Sequence, residues 1–276
     1  MKRVLAPLLF LLMSGAVACA AGPEGFSGLT GALDIAGGTA HIPVMKKAAQ
    51  NIMEANSGIR ITVAGGGSGV GVQQVGEGLV HIGNTGRALK ESEVEKYGLQ
   101  TFPFAVDGVA IAVNPANPVA NLTKAQAKDI FAGRITNWKN VGGADAAINV
   151  FIREDGSGTR ETFEERALEK EPTWPKSNVV NSNGAMKTAV AQDKNAIGYV
   201  GVGHLDSSVK GLALDGMVPS QENAKNGSYT VTRLLYMNTK GEPEGLTRAF
   251  IDYIYSPDGQ SIVSGAGYIP LEKAVR

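Results

Sequence analysis

The sequence predicts an α/β fold arranged as two lobes, and three observations predict it. Apolar, strand-like runs alternate with segments of helical periodicity through the N-terminal part of the chain. Glycine-rich loops stand where those strands hand over to helices. Two later apolar runs, residues 107–113 and 229–237, lead out of the first unit and back into it. The expected division is lobe 1 from residues 25–107 and 232–276 and lobe 2 from residues 108–231, joined by two hinge strands.

The chain opens MKRVLAPLLFLLMSGAVACA, with Lys2 and Arg3 ahead of an apolar run from Val4 to Met13 and small residues from Ala16 to Ala20. That is the layout of a secretory signal peptide, so residues 1–20 are expected to be removed and the protein to work in the periplasm or another extracytoplasmic space. A membrane-spanning helix needs about 20 apolar residues, and Pro7, Ser14 and Gly15 leave this run short. Cys19 is the only cysteine, which excludes an intramolecular disulfide. Two fates stay open for it: cleavage near Ala18 or Ala20, or a lipid anchor, with Ala16 standing where a lipobox usually has Leu.

The elements then follow in order. A strand is expected at residues 32–36 and a helix at 43–54, where Val44, Ala48 and Ile52 recur at spacing four and Pro43 suits the first turn. A strand at 59–64, a helix at 69–78 and a strand at 81–84 continue the alternation. The apolar run 107–113 ends abruptly at Asn114 and Pro115. A helix at 124–131 leads through Gly133 and Trp138 to a strand at 148–152, which delivers the chain to Arg153 and a DGSGT turn before a helix at 161–170. Strands at 197–202 and 229–237 and a helix at 244–255 complete the pattern.

Charge and motif content exclude several functions. Lys and Arg number 26 against 26 Asp and Glu, so the formal net charge is zero. This argues against nucleic acid or an anionic membrane surface as the main partner, and any anion site must be local. His41, His81 and His204 lack metal-ligand spacing, so neither a metal nor a cofactor is expected. Val70 and Thr159 occupy the last glycine positions of would-be GxSxG motifs around Ser68 and Ser157, which disfavours a hydrolase nucleophile. The expectation is a monomeric binding protein, not an enzyme.

Three loops share one logic: Gly37-Gly38-Thr39, Gly65 to Gly69, and Asp155 to Thr159. Each follows a strand and precedes a helix, whose N-terminus offers free N–H groups and partial positive charge to an anion. None is a nucleotide loop, because Val72 and Gln73 stand where a P-loop needs Lys and Ser or Thr. Arg153 adds a fork able to grip two oxygens of a tetrahedral oxyanion. Asp155 is then expected to accept the proton that hydrogen phosphate carries and sulfate lacks, so that Asp155→Asn would lose discrimination more than affinity.

The segments VFIREDGSGTRETF, DIFAGRITNWKNVGG, VAGGGSGVG, AIGYVG and SPDGQSIVSGAGYIPL make the chain resemble the phosphate-binding proteins of phosphate ABC importers over nearly its whole mature length. The resemblance implies a type 2 periplasmic binding protein fold that holds inorganic phosphate between lobes and delivers it to a membrane permease. It also implies Thr39 and Ser68 as ligands from the first lobe, and Arg153, Asp155, Ser157, Gly158 and Thr159 from the second. Residues 82–87 (IGNTGR) occupy the place of a further ligand loop. Thr85 and Gly86 depart there from the family pattern, and Arg87 is a candidate ligand set against a plain surface arginine. Two rivals remain: an enzyme acting on a phosphomonoester, and a binder of another tetrahedral oxyanion.

Overall fold

The structure, a computed structural model, describes residues 22–273. The proposed signal peptide and Cys19 lie outside the described residues. Strand β1 (Gly31–Gly37), helix α1 (Ile42–Ala55), strand β2 (Ile59–Gly66), helix α2 (Gly67–Gly76), strand β3 (Ile82–Thr85) and helix α3 (Glu91–Tyr97) lead into the long strand β4 (Leu99–Val113). Next come β5 (Asn121–Leu122), α4 (Lys124–Phe131), β6 (Asn149–Arg153), α5 (Gly158–Arg166), β7 (Asn178–Val180), α6 (Asn183–Gln192) and β8 (Ala196–Gly201). The short β9 (Lys210–Gly211), β10 (Ala213–Leu214) and α7 (Gln221–Lys225) precede β11 (Thr232–Lys240), α8 (Gly245–Tyr255), α9 (Pro257–Gly265) and β12 (Ile269–Pro270).

The main sheet follows the path β2-β1-β3-β11-β4-β8-β6-β7, with β9 and β12 added to β4, and β5 pairs β10 in a separate two-stranded sheet. Parallel pairs lie at its two ends, β1 with β2 and β3, and β6 with β7 and β8. Antiparallel pairs occupy the middle, where β11 meets β3 and β4, and β4 meets β8. Strand β4 serves both halves: residues 99–108 pair with β11, and residues 109–113 with β8.

Two apolar cores flank this crossing. Leu33, Ile35, Met45, Ile52, Phe104, Leu235 and Tyr268 belong to one. Val109, Ile111, Phe131, Trp138, Phe163, Tyr199 and Val231 belong to the other, where Phe163 stacks on Tyr199 with ring centroids 4.2 Å apart. The amphipathic spacing expected of α1 is realised, with Val44, Met45, Ala48, Ala49 and Ile52 buried. Trp138 is buried and its indole N–H donates to the Asn195 carbonyl at 3.0 Å, a packing role.

Three elements differ instructively from the sequence expectation. Strand β4 starts at Leu99, not Asp107, and Pro103 masks it: proline has no N–H for the ladder, and the register with β11 shifts opposite it between Leu235 and Tyr236. Helix α5 begins at Gly158 and ends at Arg166, because Ser157 caps it by accepting the Arg160 N–H and the chain turns through left-handed Glu169 and Lys170. Helix α6 has no counterpart in the expected pattern. Ser182 caps it, and Met186 and Val190 bury its inner face.

Candidate functional site

The carboxyl ends of the two parallel strand sets meet. Gly37 of β1 pairs with Gly66 of β2 on one side and Asn84 of β3 on the other, so the loops bearing Thr39, Ser68 and Gly86 open on one edge. Arg153 of β6 pairs with Val180 of β7, and the following segments, with Ser157 to Thr159 and Asn183, open on the other. Such edges are where open α/β sheets bind ligands. The walls touch directly, the Gly69 N–H donating to the Gly156 carbonyl at 3.0 Å. Glycine at 158 permits the approach, since a Cβ there would stand 2.3 Å from Ser68 Oγ.

Thr39, Ser68, Ser157 and Thr159 are all buried at this junction. Each hydroxyl oxygen accepts an N–H from the protein. Ser68 Oγ takes the Gly86 amide at 3.0 Å, and Ser157 Oγ the Arg160 amide at 3.3 Å. Thr39 Oγ1 takes the amide and Nδ2 of Asn183, and Thr159 Oγ1 takes Arg233 Nη1 at 2.9 Å. A hydroxyl has one proton to give. Each of the four accepts without spending its own proton, Thr39 and Thr159 with both lone pairs engaged and Ser68 and Ser157 with one, so each keeps that proton to donate.

Arg153 is 1% exposed, with Nε and Nη2 each 2.8 Å from a carboxylate oxygen of Glu154. Its remaining Nη1 is buried without a hydrogen-bond partner. The backbone of Arg153 is anchored too: its N–H donates to Tyr199 Oη and its carbonyl accepts from Arg160 Nη1.

Two expected site residues are not brought into this group. The Asp155 side chain, expected to accept the anion's proton, is 98% exposed and paired with Arg160 at 2.8 Å, while its neighbour Glu154 takes the fork of Arg153. Arg87 is engaged by carboxylates: Nη1 and Nη2 grip Glu93 at 2.8 and 2.7 Å, and Nε lies 2.9 Å from Glu161 Oε2. The Thr85 hydroxyl is spent as well, donating to the Arg87 carbonyl.

Three residues missing from the sequence expectation stand in their place. Asp107 on β4 and Arg233 on β11 are register partners, with Arg233 Nε and Nη2 bound to Asp107 Oδ2 at 2.9 and 2.7 Å. Asp107 Oδ1 is buried without a hydrogen-bond partner. Burial pushes the Asp107 carboxyl above its ordinary range, with Arg233 pulling against it. Gly86 lies against Arg233, where a Cβ would come within 2.7 Å of Nη1, so the glycine that breaks the family pattern makes room for this guanidinium. The third residue, Asn183, is fully buried at the start of α6. A charge within each of two apolar strands was the available signal for the first two.

A model described as a PBP superfamily domain matches residues 23–258. Phosphate-binding protein PstS of Bacillus subtilis (strain 168) is 38% identical over 284 residues, which cover 98% of this chain and 94% of that one. The chain belongs to the PBP superfamily and, within it, to the phosphate-binding proteins. A second relative, phosphate-binding protein PstS of Borreliella burgdorferi, is 29% identical and covers 87% of this chain and 90% of its own. Among solved structures, a substrate-binding protein from Clostridium perfringens with bound phosphate superposes with a TM-score of 0.83 at 37% identity, covering 88% of this chain and all of that one. An ABC-type phosphate transport receptor from Vibrio cholerae gives 0.68 at 35% identity, over 86% and 99%. The fold of this PBP chain is thus the two-lobed type 2 fold with two hinge strands.

Proposed function

We propose that this protein captures inorganic phosphate in the cleft between residues 25–107 with 232–276 and residues 108–231, and delivers it outside the cytoplasm to the membrane permease of a phosphate ABC importer. The lobe division is supported by the change of apolar core on either side of residues 105–109 and 231–235. The observation that carries the reading is the polarity of the site. Thr39, Ser68, Ser157 and Thr159 are set as donors, Arg153 Nη1 is a buried cationic donor without a partner, and Asp107 Oδ1 is a buried acceptor without one. Donors set beside a buried carboxylate oxygen match a tetrahedral oxyanion that still carries one proton. On this reading Asp107, rather than Asp155, accepts the proton, Arg87 is held by Glu93 and Glu161, and Arg233 orients Asp107 and Thr159.

Calorimetry with phosphate and sulfate tests this. Phosphate should bind and sulfate should not, since sulfate would leave a buried carboxylate facing an anion with no proton between them. Asp107→Asn should narrow the preference; equal affinity of the wild-type protein for both ions overturns the reading. The relatives are named as binding proteins, which supports capture rather than turnover. Hydrolysis of a chromogenic phosphate ester by the pure protein would reverse that choice.

A further inference from the structure

Asn183 sits at the junction of the two walls, and the role it plays there rests on the phosphate reading of the cleft. Its backbone N–H and its Nδ2 both donate to Thr39 Oγ1, at 3.2 and 3.0 Å, across 144 residues of sequence. Nδ2 also lies 3.4 Å from Thr159 Oγ1, and Oδ1 accepts the Gly201 N–H at 3.1 Å. Thr39 follows β1, next to Ala40 of one core, whereas Thr159, Asn183 and Gly201 all belong to the other half. One side chain therefore ties a hydroxyl of the first wall to a hydroxyl and a strand end of the second.

The direction of these bonds matters more than their number. An amide nitrogen can only donate, so Asn183 cannot take the proton of either threonine. Oδ1, which could, is held by Gly201. Thr39 Oγ1 carries two N–H groups, and Thr159 Oγ1 carries Arg233 Nη1 with Asn183 Nδ2. Both threonine protons are thus turned away from the protein that holds them.

We propose that Asn183 is a positioning residue that makes closure of the cleft depend on an anion. Separating the walls breaks its bonds to Thr39. Bringing them together fixes the Thr39 and Thr159 hydroxyls as donors in a buried place, and an anion able to accept from both completes the closed arrangement. A buried hydroxyl proton without an acceptor is penalised, so closure over an empty cleft is disfavoured.

The test is a double-mutant cycle read as phosphate affinity, using Asn183→Ala, Thr39→Val and the pair. If Asn183 acts through the Thr39 hydroxyl, Asn183→Ala weakens phosphate binding about tenfold in the wild-type background and less than about threefold once Thr39 is Val. Losses that multiply overturn the proposal, because a residue that only braces the fold has no reason to lose its effect with that hydroxyl. Asn183→Asp supplies the second reading. A carboxylate of the same shape accepts the threonine proton instead of redirecting it, so phosphate affinity should fall at least about a hundredfold. An Asp variant that binds as the wild type does overturns the proposal. Should Asn183→Ala not fold, Asn183→Ser goes through the same cycle. Failure of the wild-type chain to bind phosphate sinks the parent reading, whereas normal wild-type binding with multiplicative losses sinks the role of Asn183 alone.

Discussion

Arg233 and Asp107 face each other across the β4–β11 ladder, where the guanidinium closes on one carboxylate oxygen and leaves the other turned away. Both side chains are almost fully buried, on the two strands that run between the halves of the molecule. Removing one member of a buried pair strands the other charge, at about 3–5 kcal/mol. Arg233→Met should therefore lower the unfolding free energy by several kcal/mol in denaturant titrations and should abolish phosphate binding. Asp107→Asn keeps a hydrogen-bonding partner for Arg233 and should destabilise the fold less. A stable, phosphate-competent Arg233→Met protein would refute the central place given to this pair.

Arg87 clasps two carboxylates. It is fixed by Glu93 within its own half and reaches Glu161 on α5 in the other, so opening the cleft must break the second contact. Glu161 is about one-third exposed, which limits the pair to about 0.5–1 kcal/mol. Glu161→Gln should weaken phosphate binding about two- to fivefold, mainly through faster release, and the difference should shrink at high salt. Stopped-flow release rates at low and high ionic strength check this. A loss far beyond fivefold would place Arg87 on the ligand after all.

Asp155→Asn separates the two carboxylates. Its side chain points into solvent and pairs with Arg160, so the variant should match wild type in phosphate affinity and in rejection of sulfate, within about twofold. The same measurements on Asp107→Asn should show the change. If Asp155→Asn alone admits sulfate, proton recognition belongs to the DGSGT turn as its sequence suggests.

The contrast shows where local sequence carries information and where it does not. The glycine loops, the cap at Ser157 and the arginine at the end of β6 are local facts, because strand end, tight turn and helix start are all set by neighbouring residues. Which acid faces Arg153 is decided by a one-residue difference in a turn, and Glu154 wins over Asp155. Asp107 finds Arg233 at a separation of 126 residues, and Asn183 finds Thr39 at 144. No window of sequence contains either pair. An acid in the run FAVDGVAIAV and an arginine in TRLLYM were the visible traces, each a charge whose neighbours two residues away along the chain, Ala105 and Val109 or Val231 and Leu235, are buried.

Two histidines, His41 fully buried and His204 half-buried, give the molecule an acid limb. His41 donates from Nδ1 to the Gly38 carbonyl at 3.1 Å and packs its ring 5.5 Å from Phe104. Burial, helped by Arg233, lowers it to about 3. His204 is lowered to about 4 by burial first, then by Lys187 and Arg233. In the unfolded chain both titrate near 6.5. Between 6.5 and these values the unfolded state binds more protons than the folded one, so stability is full above pH 6.5 and is lost as pH falls. Each histidine contributes a slope of about 1.4 kcal/mol per pH unit within its window. Asp107, raised by burial, acts in the opposite sense above its ordinary value and offsets part of the loss at the acid end. Thermal unfolding should therefore move to lower temperature steadily from pH 6.5 to pH 4.5. Replacing His41 by Gln, which keeps an N–H donor for Gly38 but no basic nitrogen, should flatten that dependence even if it lowers stability at pH 7. An unchanged slope in His41→Gln would mean that His41 is already free to take up a proton in the folded protein.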